Sequence, residues 1–239
     1  RWNALRRMPS CVHARSEASG KGASHLVIRV ETGEAKATIT ATEGLRTLDI
    51  TARLHTPRLV LLPAHEGLAG RVAAFYQRNA AHLAPWDPPA PEGFATEAFQ
   101  AGRLCKAVTE AAAGTALRWW IEPREEPSQL VGSIGLSQIA RGAFQNAMLG
   151  YAIDSAYEGQ GLMREALQAV IGHAFSAAVC LHRIQANVRP ENLRSVALLA
   201  RLGFDEEGLA REYLFIDGAW RDHRMFALRN TAYPGAPQY

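Results

Sequence analysis

From residue 56 onward the apolar positions switch between two periods. PRLVLL (57–62) is an apolar run of strand length, and between Glu66 and Arg78 the residues Leu68, Val72, Phe75 and Tyr76 fall on one helical stripe. HLAPWDPPAPEG is broken by proline and predicts a loop, after which Thr96 to about Ala113 carries Phe99, Leu104 and Val108 at helical spacing. Three runs with strand character follow, ALRWWIE, QLVGSIGLSQI and NAMLGYAID, joined by EPREEPS and ARGAFQ. Connections this short predict an antiparallel meander. Beyond YEGQGLMREAL, the residues Met163, Ala166, Leu167, Val170, Ile171, Ala174 and Phe175 recur at helical spacing, and HRIQANV returns to a strand. Strand, helix and strand make a βαβ-like unit. Asn192 is placed to cap a further helix that buries Val196, Leu198, Leu199 and Leu202 and stops at Gly203, and Asp217-Gly218 predicts a hairpin between 204–216 and 220–228.

Composition narrows the class without naming it. The 239 residues are 48% hydrophobic and 21% charged, ordinary for a globular protein with one sizeable core. A formal net charge of +3 is far below that of a dedicated nucleic-acid binder, although it permits an acidic or phosphorylated ligand. Cys11, Cys105 and Cys180 are scattered and odd in number, which argues against a disulfide framework or a zinc site and for a reducing, cytoplasmic setting. No metal spacing such as H-E-x-x-H occurs, so no metal is expected. No stretch approaches the ~18 continuous apolar residues of a membrane span. The segment RWNALRRMPSCVHARSEASGKGASH has the composition of an organelle transit peptide, but a disordered extension or translated upstream sequence is the reading favoured over it. Within the first 52 residues only Leu26–Val30 and Ala35–Thr40 show strand propensity.

The stretch most suggestive of chemistry is EGQGLM (158–163), two glycines between a strand and a long helix. Residues without Cβ let the main chain approach a ligand, and a helix opening straight after the turn presents free N–H groups and a positive dipole end to an anion. A P-loop is excluded because neither its spacing nor its lysine is present. A dinucleotide turn fits at Gly159 and Gly161 but meets Arg164 in place of the third glycine, has no acid about 20 residues on, and follows a meander instead of alternating βα units.

The same six residues resemble the Q/R-x-x-G-x-G/A turn of the GCN5-related N-acetyltransferase superfamily, departing from it at Glu158 and Met163. PRLVLL, HLAPWDP, RGAFQNAMLGYAID, YEGQGLMREAL, HRIQANV-x-P-x-N-x-x-S-x-x-LLARLGF and EYLFIDGAWRDH follow one another as in the ribosomal-protein acetyltransferases, most closely the branch acting on the N-terminal alanine of ribosomal protein S5. The resemblance implies an α/β fold with a mixed, mostly antiparallel central sheet flanked by helices. It implies an N-acetyltransferase domain at 53–230, between an N-terminal extension at 1–52 and a tail at 231–239. It also implies acetyl-CoA as cosubstrate, its pyrophosphate held by main-chain N–H groups of Gly159, Gln160, Gly161, Leu162, Met163 and Arg164. Met163 then points into the core and Glu158 away from the polyanion. The pantetheine arm passes Ile153, and the thioester carbonyl meets backbone N–H groups where 149–154 splays from HRIQANV. Two further acceptors stay open: a small-molecule amine, or none at all in a non-catalytic ribosome- or RNA-binding module.

Acetyl transfer to an amine needs a neutral nucleophile, a polarised carbonyl and a proton for the departing thiolate. By resemblance Ser195 is the proton donor and Glu212 the base, with Asn192 capping the helix and fixing the strand edge beside the cofactor. Each has a plainer alternative: Ser195 as an ordinary N3 serine, Glu212 as a strand carboxylate paired with Arg211 or Arg221. An α-amine of pKa about 8 is neutral in roughly a fifth of molecules near pH 7.4, against about one in a thousand for lysine, so a weak or water-relayed base suffices for an N-terminal substrate. Trp119 and Trp120 must face opposite sides of their strand, and Trp86 is placed to border a substrate entrance. Asp222 and His223 read as ion-pairing residues.

Overall fold

The computed structural model describes residues 52–235, together with strand segments at 13–14, 27–32 and 35–40. The expectation of an unstructured extension over 1–52 falls mostly outside the described residues, as does the end of the 231–239 tail. The chain divides into two compact units, Arg1–Thr47 and Leu48–Tyr239. In the first, β1 (His13–Ala14), β2 (Val27–Thr32) and β3 (Ala35–Thr40) form an antiparallel sheet with Val27 opposite Thr40 and Thr32 opposite Ala35. The strand propensity of Leu26–Val30 and Ala35–Thr40 is thus realised as a hairpin.

The second unit holds an eight-stranded sheet. Its strands are β4 (Leu54–His55), β5 (Leu59–Pro63), β6 (Leu117–Pro123), β7 (Gly132–Ala140), β8 (Asn146–Ile153), β9 (Arg183–Val188), β10 (Asp205–Ile216) and β11 (Ala219–Arg229). They lie in the order β10-β11-β9-β8-β7-β6-β5-β4. Every neighbouring pair is antiparallel except β8 and β9, joined through α3 (Leu162–Phe175) as the βαβ pattern predicts. The hairpin turn is Asp217-Gly218, both at positive φ (51° and 72°).

Helices cover both faces because the strands alternate. Trp119 and Trp120, neighbours in β6, are 2% and 1% exposed on opposite sides. Trp119 joins Ile134, Leu136 and Leu149 under α3 and α4 (Leu193–Arg201), with Met163, Leu167 and Leu199 facing them. Trp120 packs with Leu62, Val72, Phe75 and Leu104 under α1 (Ala69–Leu83) and α2 (Glu97–Ala112), its ring edge-on to Phe75 at 5.7 Å. Burying side chains of this size contributes about 1.5–3 kcal/mol each. The helix predicted at Glu66–Arg78 begins as a 3-10 turn at Glu66–Leu68 and runs on to Leu83, so His82 and Leu83 belong to α1 and not to the proline loop. No helix among the described residues is long and apolar enough to cross a membrane.

Candidate active site

The glycine turn is held by contacts remote in sequence. Gly159 and Gly161 adopt φ of 73° and 75°, a left-handed conformation that costs other residues about 1–2 kcal/mol. Gly161 is the N-cap of α3 and has no side chain to offer, so the N–H groups of Leu162, Met163 and Arg164 face outward before Glu165 N–H closes on Gly161 at 3.1 Å. Glu165 accepts from the Thr56 hydroxyl (2.6 Å), Arg58 N–H (2.9 Å) and Arg58 Nε (2.7 Å), while Arg58 Nη1 donates to the Gln160 carbonyl (3.0 Å). Burial pushes the Glu165 carboxyl up, but these donors and the Arg58 charge outweigh it and hold it below the ordinary value. Arg58 also sets a cation beside the turn, a contribution the linear motif does not contain. Glu158 pairs with Arg194 and approaches His82 Nε2 at 3.4 Å, so its charge is engaged away from the turn. Met163 is 6% exposed, its side chain in the core and its N–H at the helix end.

Ahead of the turn, Asp154 joins it to α1. Its carboxylate accepts from Arg78 Nε (2.7 Å), Asn79 Nδ2 (3.0 Å) and Ala156 N–H (3.0 Å), while Asn79 Oδ1 accepts Ser155 N–H at 3.2 Å. Burial raises the Asp154 pKa, but those three donors and the Arg78 charge outweigh it and hold the carboxyl below the ordinary value. An aspartate closing LGYAID, two residues before a free N–H, is the local signal that marks this cap.

Strands β8 and β9 pair in register from Asn146 opposite Arg183 to Leu149 opposite Ala186 and no further, although β8 continues to Ile153 against β7. The wedge that follows leaves main-chain groups of 150–153 outside the β8–β9 ladder, with Ile153 at its end. The Arg194–Glu158 pair brings the start of α4 to the glycine turn. There Asn192 Oδ1 caps the helix by accepting Ser195 N–H at 3.1 Å. Ser195 is half-buried near Tyr151, whose own hydroxyl is buried without a partner at hydrogen-bond length. Burial pushes Tyr151 up to about 12, an effect partly offset by the Ser195 side chain. Tyr151 escapes sequence reasoning, since a tyrosine in an alternating strand carries no mark of being unsatisfied.

A cleft of about 1050 Å³ opens on the α1–α2 side of the sheet. Its floor is Ser133, Gly135, Gly150 and Ala152, its wall is the 84–96 loop, and Asp217 and Gly218 reach it from the hairpin. Glu212 is not among the lining residues. It lies exposed at φ 47° in a bulge between Ala210 and Leu214, with its N–H donated to Asp222 Oδ1 at 2.8 Å. Its neighbour Tyr213 accepts from Asn187 Nδ2 at 2.8 Å, on the β9 edge that leaves β8. Asp222 also faces Arg211 at 3.8 Å, as the ion-pairing expectation has it. His223 instead is buried, with Nδ1 3.0 Å from the Arg221 carbonyl and its ring tilted against Tyr213. Trp86 lies beneath the Arg189 guanidinium at 5.5 Å. Asp87 and Arg118 are cleft residues that no local pattern marks. Among the described residues no group of three or more His, Cys, Asp or Glu side chains is arranged to hold a metal.

The turn geometry fits coenzyme A. A Cβ at Gly159 would meet nothing within 4 Å, so the surface over the turn is open, and three outward helix amides with Arg58 beside them suit a diphosphate. A parted strand pair behind that turn suits a thin arm ending in a thioester. These are features of an acyl-CoA N-acyltransferase, and residues 58–205 match the model of the acetyltransferase (GNAT) domain. The chain belongs to that family and is an acetyl-CoA-dependent N-acetyltransferase. It is 40% identical over 176 residues to the [ribosomal protein uS5]-alanine N-acetyltransferase of Escherichia coli strain K12, covering 74% of this chain and 90% of the relative. Among solved structures, the ribosomal-protein-S5-alanine acetyltransferase of Vibrio fischeri superposes with a TM-score of 0.73 at 33% identity, over 77% of this chain and all of the other. Mycobacterium smegmatis RimJ in complex with CoA-disulfide gives 0.69 at 33% identity, over 77% and 89%.

Proposed function

We propose that the enzyme transfers acetyl from acetyl-CoA to the α-amine of the N-terminal alanine of ribosomal protein uS5. The observation that carries the choice is the 40% identity to the Escherichia coli uS5 enzyme over 90% of its length. An open cleft of about 1050 Å³ ending at the β8 floor supports it, being ample for the first residues of an extended polypeptide. Acetyl-CoA supplies the activated acyl group. The amides of 159–164 and Arg58 hold its diphosphate, Ile153 borders its arm, and amides freed by the β8–β9 wedge stabilise the developing oxyanion. Ser195, oriented through its N–H bond to Asn192, delivers a proton to the departing thiolate. Tyr151 stays protonated beside it over the working pH range and keeps that hydroxyl pair neutral.

The α-amine needs little help to lose its proton near pH 7.4, so a carboxylate acting through water suffices. Glu212 serves that role in this reading, supported by the Tyr213–Asn187 bond that draws its bulge toward the β9 edge. A second candidate is favoured by position. Asp87 lines the cleft, and its pKa is raised because desolvation outweighs the charges of Arg103 and Arg118. The test is thiol release from labelled acetyl-CoA with an Ala-initiated uS5 peptide, set beside a panel of small amines. Turnover of the peptide with an acetylated α-amine is expected; product on small amines alone would remove the substrate.

A further inference from the structure

Arg118 projects from near the start of β6 into the acceptor cleft and makes no side-chain hydrogen bond or ion pair among the described residues. Its guanidinium lies flat over Gly135, where an added Cβ would sit 3.2 Å from Nη2, so the absence of a side chain at Gly135 is what admits it to the floor. Desolvation is strong enough to lower its pKa, with Arg103 adding to the effect and Tyr76, Glu110 and Asp87 opposing it. A half-buried charge without a partner loses part of its hydration and gains no compensating bond until a ligand supplies one.

Arg103 comes to the same cleft from α2. It stacks over Phe94 at 4.7 Å and Tyr76 at 5.5 Å, and its Nη1 donates to Gln100 Oε1 at 3.1 Å, which fixes the guanidinium plane and leaves other N–H groups for the cleft. Two guanidiniums therefore face one cleft carboxylate, Asp87, with no ion pair at 4 Å or less between it and either. The local balance is positive, in a cleft whose reacting guest is an amine. Such a field repels a bare ammonium and favours a guest that brings its own carboxylate some distance behind the amine.

Resting on the polypeptide reading above, we infer that Arg118 and Arg103 form a carboxylate subsite that receives an acidic side chain within the first few residues of the acceptor polypeptide. Bidentate N–H pairs on a planar guanidinium match a carboxylate, and one such contact in a desolvated site corresponds to about ten- to a hundredfold in binding. The subsite holds the acceptor in register so that its α-amine reaches the β8–β9 wedge.

The experiment compares Ala-initiated peptides, amidated at the C-terminus so that the only carboxylate is a side chain, with Glu or Gln placed singly at positions two to five. For the wild-type enzyme, Glu is expected to exceed Gln at least about tenfold in kcat/KM at one of these positions, mainly through KM and less so at high salt. R118Q should bring the two peptides level while the KM for acetyl-CoA stays put, and R103Q should do so in part. R118K, which keeps the charge and loses the fork, should retain part of the preference and serves if R118Q does not fold. Equal turnover of Glu and Gln peptides by the wild-type enzyme overturns the subsite while leaving the acetylation of polypeptide amines intact. No turnover on any peptide, with acetyl-CoA still bound, removes the polypeptide reading and the subsite with it.

Discussion

The cofactor side and the acceptor side of this enzyme are built from different materials. Around Gly161 the groups proposed to bind coenzyme A are main-chain amides, fixed by a helix start and by two residues in left-handed conformation, with side chains such as Glu165 and Arg58 clamping the turn. The cleft proposed for the acceptor is made instead from residues of α1, α2, three strands, the proline loop and the hairpin tip. Amides in a turn recognise a diphosphate, which every acetyl-CoA presents alike, so they need no variety. Selecting one amine requires charges and shapes that backbone does not supply. Between the two regions stands Asp154, which caps the 3-10 turn leading to Gly159 and anchors Arg78 and Asn79 of the cleft-wall helix.

The largest effect that would break this contrast comes from the turn. Gly161→Val places a β-branched residue at φ 75° and should weaken coenzyme A binding by more than about a hundredfold in calorimetry, with little change in the fold by circular dichroism. Near-normal affinity would show that backbone geometry at the turn is dispensable. Ser195→Ala comes next: kcat should fall about a hundredfold with both KM values nearly unchanged, as for loss of a proton donor acting only in the transition state. An unaltered kcat would leave Ser195 a helix residue and nothing more.

Asp154→Asn tests the joint between the regions. It removes the charge of a buried carboxylate from an Arg78 side chain that is 39% exposed and keeps its bond to the Leu130 carbonyl, so the screened loss should be about 1 kcal/mol, read as a lower Tm. The carboxyl's folded pKa is depressed, so its stabilisation is complete above the unfolded value near 4 and is lost as pH falls through the lower folded value. The wild-type Tm should therefore decline in acid more steeply than that of the variant. If the two acid limbs run parallel, the ionised form contributes nothing. The smallest effects separate the two base candidates. Glu212→Gln and Asp87→Asn should each lower kcat about tenfold or less at pH 7.4, the deficit shrinking as pH rises toward the amine's own pKa of about 8. The variant whose deficit ignores pH does not carry the proton acceptor.

Legibility in the sequence follows the same division. The strand order along the chain, the α3 and α4 stripes, the Asn192 cap and the Asp217-Gly218 hairpin all appear as predicted, because each depends on neighbours within one element. α1 ends at Leu83, five residues beyond the Arg78 that its own stripe predicts, since that last segment packs with Leu62 and Trp120 from other strands. The bond from Ser195 N–H to Asn192 is legible in their spacing, whereas the burial of the Tyr151 hydroxyl near Ser195 is not.

EGQGLM with its flanking strand and helix encodes two left-handed glycines and the free amides of a helix start, because those are local dihedral angles and local main-chain groups. Tertiary structure alone decided that Thr56 and Arg58 clamp the turn through Glu165, that β8 and β9 part after Leu149, and that Asp87, Arg103 and Arg118 share one cleft. Those groups come from separate helices, strands and loops. Their mutual field and desolvation exist only once the sheet has brought them to the same face, and no period or spacing along the chain records a charge left without a partner.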